Sequence, residues 1–291
     1  MCRPTTVDYT ADTTDITQLR NQAASGRAGC CTCSFVKSGR FGSFNKLTQY
    51  MYDGVTPNGQ GDIPWTAEVF VASDGTAGQV TVFQKHKVVN KTADTASYPD
   101  TRPVSDEDLK AMVAKIPEAI ARAWNGRAYK LKITDRRCGE RLFDVRFVVS
   151  MVETEGHYTL HFVNVPGMGT APDVRGVLSG RSYIISPNQG KFNLGDYRTA
   201  TNNDHDESLE VHEFGHMIGL IDEYPDQGFN RGGVRYLFPD GTTEMAGVTS
   251  ELMGTMSNKV PIPTRYCVTV ACAAISVLEA NGFAVTDCEI L

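Results

Sequence analysis

The residues with the most chemical potential in this sequence lie close together in EVHEFGHMIGLIDEY, at 210–224. His212 and His216 are four positions apart, so on a helix their imidazole rings share one face, about one turn from each other. That spacing lets two ring nitrogens bind one Zn²⁺ at roughly 2.0–2.1 Å. Glu213 follows the first histidine, where its carboxylate can act as general base toward water that the metal activates.

The residues after the second histidine extend this pattern. Gly219 can adopt the left-handed backbone conformation that ends a helix and reverses the chain. Three residues later, Asp222 is in place to return to the metal as a third ligand. HExxH alone recurs by chance, whereas the longer spacing HExxHxxGxxD is the metzincin pattern with Asp in place of the usual third His.

Together with SELMG at 250–254, this segment is similar to the snapalysin-type metzincins, whose third metal ligand is an Asp. The resemblance implies a zinc-dependent endopeptidase. It assigns the metal to His212, His216 and Asp222, and the role of catalytic base to Glu213.

The same resemblance implies roles for two residues downstream of the ligands. Tyr224 lies two positions beyond Asp222, matches a family tyrosine, and is the expected hydrogen-bond donor to the oxyanion. Met253 is the expected Met-turn residue, whose thioether forms an apolar floor beneath the zinc, with Met256 as the alternative. The intervening segment 225–249 is longer than in small snapalysins.

The N-terminal sequence bears on the cellular location. It has no apolar h-region, so we expect no Sec signal peptide, and the longest apolar stretch, 268–278, is too short to cross a bilayer. A chain of this size with this motif also resembles metallopeptidase effectors of bacterial contractile injection systems such as type VI secretion. That resemblance implies a protein or peptide substrate and a cognate inhibitor or immunity protein. We expect a soluble protein that is exported without a cleavable signal, with a cytoplasmic location as the alternative.

Composition and charge argue against a nucleic-acid partner. The 291 residues are 41% hydrophobic and 21% charged, with a formal net charge of −6 and no Lys/Arg run, which disfavours anionic partners. The eight cysteines leave two interpretations open, disulfide pairing or burial as small hydrophobic side chains. The CCTC cluster at 30–33 has no second CxxC to complete a zinc site.

Three other interpretations of the histidine motif remain open. The first is a peptidoglycan peptidase or amidase that uses the same chemistry. The second is a catalytically idle binding module whose zinc is structural, with Glu223, Glu244 or Glu251 as a fourth ligand that closes the site. The third is an ordinary amphipathic helix over 207–221, which explains the apolar residues but not the joint placement of His, Glu, Gly and Asp.

The remaining sequence predicts the elements that position this site. We expect an N-terminal extension at 1–60 and the zinc metallopeptidase domain at 61–291, because the Gly/Pro/Asn-rich DGVTPNGQGD lies between them. A long helix with one apolar face is predicted from the N-cap Ser105 to Asn125-Gly126. Pro117 is expected to kink or split it.

Strand-like segments surround that helix. WTAEVFVAS and QVTVFQKHKVV are expected to form a hairpin, and further strands are expected at 128–134, 142–152, 158–165 and 182–186. Residues 225–262 are expected to be irregular, and a last helix is expected over 264–280, with Asn281-Gly282 as its stop. This order predicts an α+β fold in which a twisted mixed sheet carries a long backing helix, an active-site helix and a C-terminal helix. The resemblance of the histidine motif to that of metzincins implies that this arrangement is metzincin-like.

Overall fold

A curled mixed β-sheet with helices packed on it forms the main body of the protein. The computed structural model describes residues 33–40, 49–50, 64–71, 77–90, 102–136, 138–165, 182–186, 188–195, 209–220, 222–223, 234–246, 251–255 and 262–291. In chain order the strands are β1 (Cys33–Arg40), β2 (Gln49–Tyr50), β3 (Pro64–Val71), β4 (Ala77–Asn90), β5 (Lys130–Asp135), β6 (Gly139–Val152), β7 (Tyr158–Val163), β8 (Tyr183–Ser186), β9 (Gln189–Asn193), β10 (Val234–Leu237), β11 (Thr243–Ala246) and β12 (Val285–Ile290). The helices are α1 (Asp106–Gly126), α2 (Leu209–Met217), α3 (Leu252–Thr255) and α4 (Val268–Ala280), with a 3-10 turn at Thr264–Cys267 before α4.

The long strand β4 organises the main sheet. Within the described residues this sheet has nine strands, in the order β12-β5-β6-β4-β7-β9-β8, with β3 and β1 beside the first half of β4. β4 pairs in parallel with β6 and β7 but antiparallel with β3, so the predicted hairpin and the predicted mixed sheet are both confirmed. A second, three-stranded sheet has the order β11-β10-β2.

Two strands come from the segment that the sequence predicts to be an N-terminal extension. β1 pairs antiparallel with β3 over its full length, and β2 pairs with β10 in the small sheet. These described parts of 1–60 therefore belong to the same sheets as strands that follow residue 60. The division at residue 60 otherwise stays a prediction.

Helix α1 is the predicted backing helix. Its N-cap Ser105 accepts a hydrogen bond from the backbone nitrogen of Asp108 at 3.2 Å, as the sequence indicates. The predicted apolar face is buried, or partly buried at its margins, on the sheet: Leu109, Met112, Val113, Ile116, Ile120 and Trp124. Pro117 does not split the helix, which runs continuously to Gly126. The buried face on both sides of the proline holds the two halves together although one backbone hydrogen bond is missing.

The expectation of an irregular region at 225–262 is wrong for the described residues 234–246 and 251–255. It contains the antiparallel hairpin β10–β11 and the short helix α3. Strands β9 and β12, which the sequence patterns do not predict, pair with β7 and β5. The four strands β9, β10, β11 and β12 are only four to six residues long. Their sequences therefore contain too few alternations of apolar and polar residues to indicate a strand without its pairing partner.

The C-terminal helix follows its prediction closely. The predicted span 264–280 is a 3-10 turn followed by α4, and Gly282 ends it with a φ of +87°. Cys267 and Cys288 are buried free thiols, whereas Cys272 on α4 is in a disulfide, so both interpretations of the cysteines apply within one region. Burial raises the pKa of the Cys288 thiol to about 12. Among the described helices, none combines the length and the apolar character needed to cross a membrane.

Candidate metal centre

Helix α2, which carries the histidine motif, is anchored to the backing helix. The indole nitrogen of Trp124 on α1 donates a hydrogen bond to the carbonyl oxygen of Val211 at 3.2 Å. The Phe214 ring packs edge-on against Trp124, with centroids 5.5 Å apart, and against Phe147 of β6 at 5.9 Å. These contacts cover one face of α2, and the histidines lie on the opposite face.

A second anchor holds the C-terminal end of α2 to the sheet. The amide nitrogen of Gln84 on β4 donates to the carbonyl oxygen of Met217 at 2.6 Å, and its amide oxygen lies 3.0 Å from Nε2 of His86. Burial, and to a smaller extent the charge of His157, lowers the pKa of His86 to about 3, so this ring is neutral. Reasoning from the sequence missed Gln84. The signal was present, because Gln84 and His86 continue the buried alternation of Val80 and Val82.

The chain reversal after α2 takes the form expected from Gly219. Gly219 has a φ of +106°, its nitrogen donates to the carbonyl of His216 at 3.0 Å, and the nitrogen of Leu220 donates to the carbonyl of Gly215 at 2.9 Å. This pair of bonds is a Schellman motif with glycine at C′. It brings the Leu220 carbonyl oxygen within 2.9 Å of Nδ1 of His216.

Both histidine rings are oriented by backbone carbonyl oxygens. Nδ1 of His212 lies 2.8 Å from the carbonyl oxygen of Leu252, and Nδ1 of His216 has the Leu220 contact. A carbonyl oxygen only accepts hydrogen bonds, so both Nδ1 atoms carry the hydrogen. When the rings are neutral, each presents its Nε2 lone pair to the other side, which is the tautomer that metal ligation through Nε2 requires.

The two Nε2 atoms converge on Asp222. They lie 3.1 Å (His212) and 3.3 Å (His216) from the same carboxylate oxygen, Oδ1. Burial by itself lowers the pKa of His216, but the Asp222 carboxylate offsets this and raises the pKa to about 9. The two imidazoles, acting against burial, hold the pKa of Asp222 well below its usual range.

This donor set fits a divalent metal ion. In the described part of the chain it is the single group of three or more His, Cys, Asp or Glu donors near enough to share an ion, with the donor atoms within 4.8 Å of one another. Two lone pairs facing one carboxylate oxygen repel unless a proton or a cation lies between them. Two imidazoles and one carboxylate are also a ligand set that zinc accepts.

Glu213 is beside this group and inside the protein. Its side chain is 4% exposed, and its charge contributes to the raised pKa of His216, so the carboxylate lies within electrostatic range of the ligands. Glu213 is next to His212 on α2 and is not among the converging donors. Glu213 is therefore adjacent to the donor group without being part of it, and its role as general base stays a prediction.

Met253 lies against α2. Its side chain is 0% exposed, and a methyl group added to Gly215 would be 2.5 Å from its sulfur, so the thioether contacts the helix between the two histidines. The carbonyl oxygen of Met253 also accepts a hydrogen bond from the backbone nitrogen of Glu223 at 2.9 Å. Met253 is therefore buried against α2 at Gly215, and its role as a Met-turn residue stays a prediction.

Other candidate residues from the sequence lie away from the centre or outside the described part of the chain. Tyr224 and Met256 are outside the described residues, so the oxyanion role of Tyr224 stays a prediction. His157 accepts a hydrogen bond from the backbone nitrogen of Lys85 at 2.8 Å and lies 3.1 Å from the hydroxyl of Thr66. These contacts tie His157 to strands β4 and β3 of the main sheet.

Met253→Leu is expected to leave zinc binding unchanged and to lower the free energy of unfolding by less than about 1.5 kcal/mol, because the swap conserves volume and the sulfur is not a ligand. Metal analysis and denaturant unfolding measure both quantities. Met112→Leu, at a buried position of α1, is the matched control. Loss of zinc from Met253→Leu alone would show that the thioether does more than fill space.

Zinc affinity is expected to rise with pH up to about 9, because His216 carries a proton that the metal must displace below that pH. In the metal-free protein a rise in pH has the opposite effect, because it lowers the stability of the fold. The raised pKa stabilises the fold fully below 6.5, and this stabilisation is lost as pH rises through about 9. Calorimetry in buffers of different ionisation enthalpy should count about one proton released per zinc at neutral pH. Binding without proton release would contradict the assignment.

Comparison with known proteins gives no family assignment. No protein-family model matches the sequence, and no curated protein is similar enough to it to count as a match. The chemistry of the site therefore rests on the side chains between Leu209 and Glu223 and on the resemblance of their spacing to the metzincin motif.

Proposed function

We propose that this protein is a zinc-dependent endopeptidase of metzincin type. The observation that carries the proposal is the convergence of the Nε2 atoms of His212 and His216 on Asp222, with both rings held in the ligating tautomer by backbone carbonyls. The buried Glu213 beside them supplies the group that hydrolysis needs and a purely structural site does not.

The three converging residues would hold Zn²⁺. When bound, Zn²⁺ supplies Lewis acidity toward a peptide carbonyl and toward water. The carboxylate of Asp222 lowers the charge of the site by one relative to three neutral histidines. The site therefore depends more strongly on its base, Glu213, than a three-histidine site does.

Glu213 is the proposed general base. Its carboxylate accepts a proton from the water that attacks the scissile carbonyl, and a base in this role typically contributes on the order of 10²–10⁴-fold to the rate. Tyr224 is the proposed donor to the oxyanion, on the basis of its spacing from Asp222 in the motif. The resemblance to injected effectors adds a further proposal, that the peptidase is delivered by a bacterial secretion system.

The alternative of a closed, structural zinc site is disfavoured by the positions of its candidate fourth ligands. Glu223, Glu244 and Glu251 all form ion pairs with Arg265. Their carboxylates are therefore engaged by the guanidinium instead of being available to the metal. An open coordination position is what distinguishes catalytic zinc sites from structural ones.

The test is to measure zinc content and hydrolysis on the same preparation. The protein is incubated with casein and, separately, with muropeptides, and the products are identified by mass spectrometry. About one zinc per chain with cleavage of casein supports the endopeptidase, whereas cleavage of muropeptides alone assigns the activity to peptidoglycan. A zinc-loaded protein that cleaves neither substrate nor a diverse peptide library would contradict the proposal.

A further inference from the structure

Glu223, the residue after the third proposed ligand, is a buried carboxylate with four hydrogen bonds. It is 0% exposed. Its Oε1 accepts from the Tyr236 hydroxyl at 2.8 Å and from Nε of Arg265 at 2.9 Å. Its Oε2 accepts from the Tyr266 hydroxyl at 2.9 Å and from Nη2 of Arg265 at 3.0 Å. The carboxylate is therefore held in one orientation by a two-pronged guanidinium and two phenols.

Arg265 extends this arrangement to other parts of the site. Its Nη1 donates to Glu244 on β11 at 2.8 Å, and its Nη2 also contacts Glu251, at the start of α3. The guanidinium lies over the ring of Tyr266, 5.1 Å from the centroid. Arg265 thereby joins the ligand-bearing chain, the β10–β11 hairpin and the α3 turn to the beginning of the last helix.

Met253 is tied to the same group. Its backbone nitrogen donates to the Tyr266 hydroxyl at 3.1 Å, and that hydroxyl in turn donates to Glu223. The backbone nitrogen of Glu223 donates to the Met253 carbonyl at 2.9 Å. The Glu223 carboxylate therefore connects the two chain segments, those of Asp222 and Met253, that face α2.

We propose that Glu223 and Arg265 are positioning residues for the metal centre: their buried ion pair sets the orientation of Asp222 and the placement of Met253. This proposal rests on the proposed function. Zinc affinity then depends on residues that do not touch the metal. A ligand oxygen must be within a few tenths of an ångström of its place to bind zinc well. Because Asp222 and Glu223 share a peptide bond, a shift of the backbone at Glu223 would also displace the Asp222 carboxylate.

The geometry favours this role over general stabilisation alone. A buried ion pair is often no more stabilising than apolar residues of the same volume, so stability alone does not account for this one. Here all four hydrogen bonds converge on the residue adjacent to a ligand. Outer residues that orient metal ligands typically change metal affinity by about 10- to 100-fold when they are replaced.

The experiment compares zinc affinities by competition with a chromophoric chelator and records the absorption spectrum of the Co²⁺-substituted protein. Glu223→Gln keeps the shape of the side chain but places an amide NH₂ opposite groups that are themselves hydrogen-bond donors. Arg265→Lys keeps the positive charge but loses the paired hydrogen bonds of the guanidinium to the Glu223 carboxylate. Both are expected to weaken zinc binding about 10- to 100-fold and to shift the Co²⁺ bands. Arg265→Lys excludes a simple charge effect, because the net charge is unchanged.

Glu244→Gln is the matched comparison. It makes the same substitution in a carboxylate on the same guanidinium, but its side chain is 42% exposed and the fork to Glu223 stays intact. Its zinc affinity is expected to stay within about twofold of the wild type, as for other exposed ion pairs. If Glu223 and Arg265 had only a structural role, Glu223→Gln and Arg265→Lys would lower the melting temperature without shifting the Co²⁺ absorption bands.

The outcomes separate this inference from the proposed function. If the wild type binds no zinc, both are overturned. If the wild type binds zinc but the folded Glu223→Gln and Arg265→Lys bind it equally well with unchanged Co²⁺ spectra, only the inference is overturned. If neither variant folds, Tyr236→Phe decides, since it removes one hydrogen bond from Glu223 and keeps the volume. It should weaken zinc binding about 3- to 10-fold, and an unchanged affinity overturns the inference.

Discussion

Replacing Glu213 with glutamine or alanine is expected to lower the rate of peptide hydrolysis on the order of 10²–10⁴-fold while zinc content and fold are retained. The carboxylate is buried beside His212 but is not among the donors that converge on Asp222, so its removal takes away the proposed proton acceptor and leaves the proposed ligands in place. The rate is measured as kcat/KM on a peptide that the wild type cleaves. Zinc is quantified on the same samples.

Glu118→Gln is the matched control for this experiment. It makes the same substitution on the surface of α1, where the side chain is 72% exposed and pairs with Arg122. Its activity should equal that of the wild type. Cleavage by the Glu213 variants at the wild-type rate would remove this residue from the mechanism, whereas a loss of zinc from them would mean that it helps to hold the metal.

His212→Ala is expected to lose stoichiometric zinc, and with it both activity and part of the stability. The variant keeps only two of the three converging donors and leaves the Leu252 carbonyl without its imidazole partner. Zinc at about 100 times its dissociation constant adds about 2.7 kcal/mol to the stability of a protein that binds it only when folded. A chelator should therefore lower the melting temperature of the wild type and leave that of the variant unchanged.

His157→Ala serves as the comparison for ligand loss. His157 is also hydrogen-bonded and partly buried, but it contacts Lys85 and Thr66 rather than the metal centre. This variant should keep zinc and its response to the chelator. Undiminished zinc in His212→Ala would refute the ligand assignment, because a two-ligand remnant does not retain zinc through purification at full occupancy.

The local elements of this site are those that the sequence alone predicts. The spacing of His212 and His216, and the glycine that reverses the chain, act over six to eight residues. Over that range helix geometry and positive-φ preference decide the conformation. Ser105 and the apolar face of α1 were predictable for the same reason. The confirmed α+β plan with a mixed sheet follows from the order of such segments.

Only the tertiary structure decided which distant residues hold those elements in place. Gln84 reaches Met217 across 133 positions, and Arg265 reaches Glu223 across 42. The conformation of neither pair is determined by its neighbours in sequence. The short strands of the β10–β11 hairpin and the continuity of α1 through Pro117 likewise depend on packing against distant partners. A sequence pattern reports preferences summed over one segment, whereas these features arise from hydrogen bonds and buried surface shared between segments, which exist only once the chain has folded.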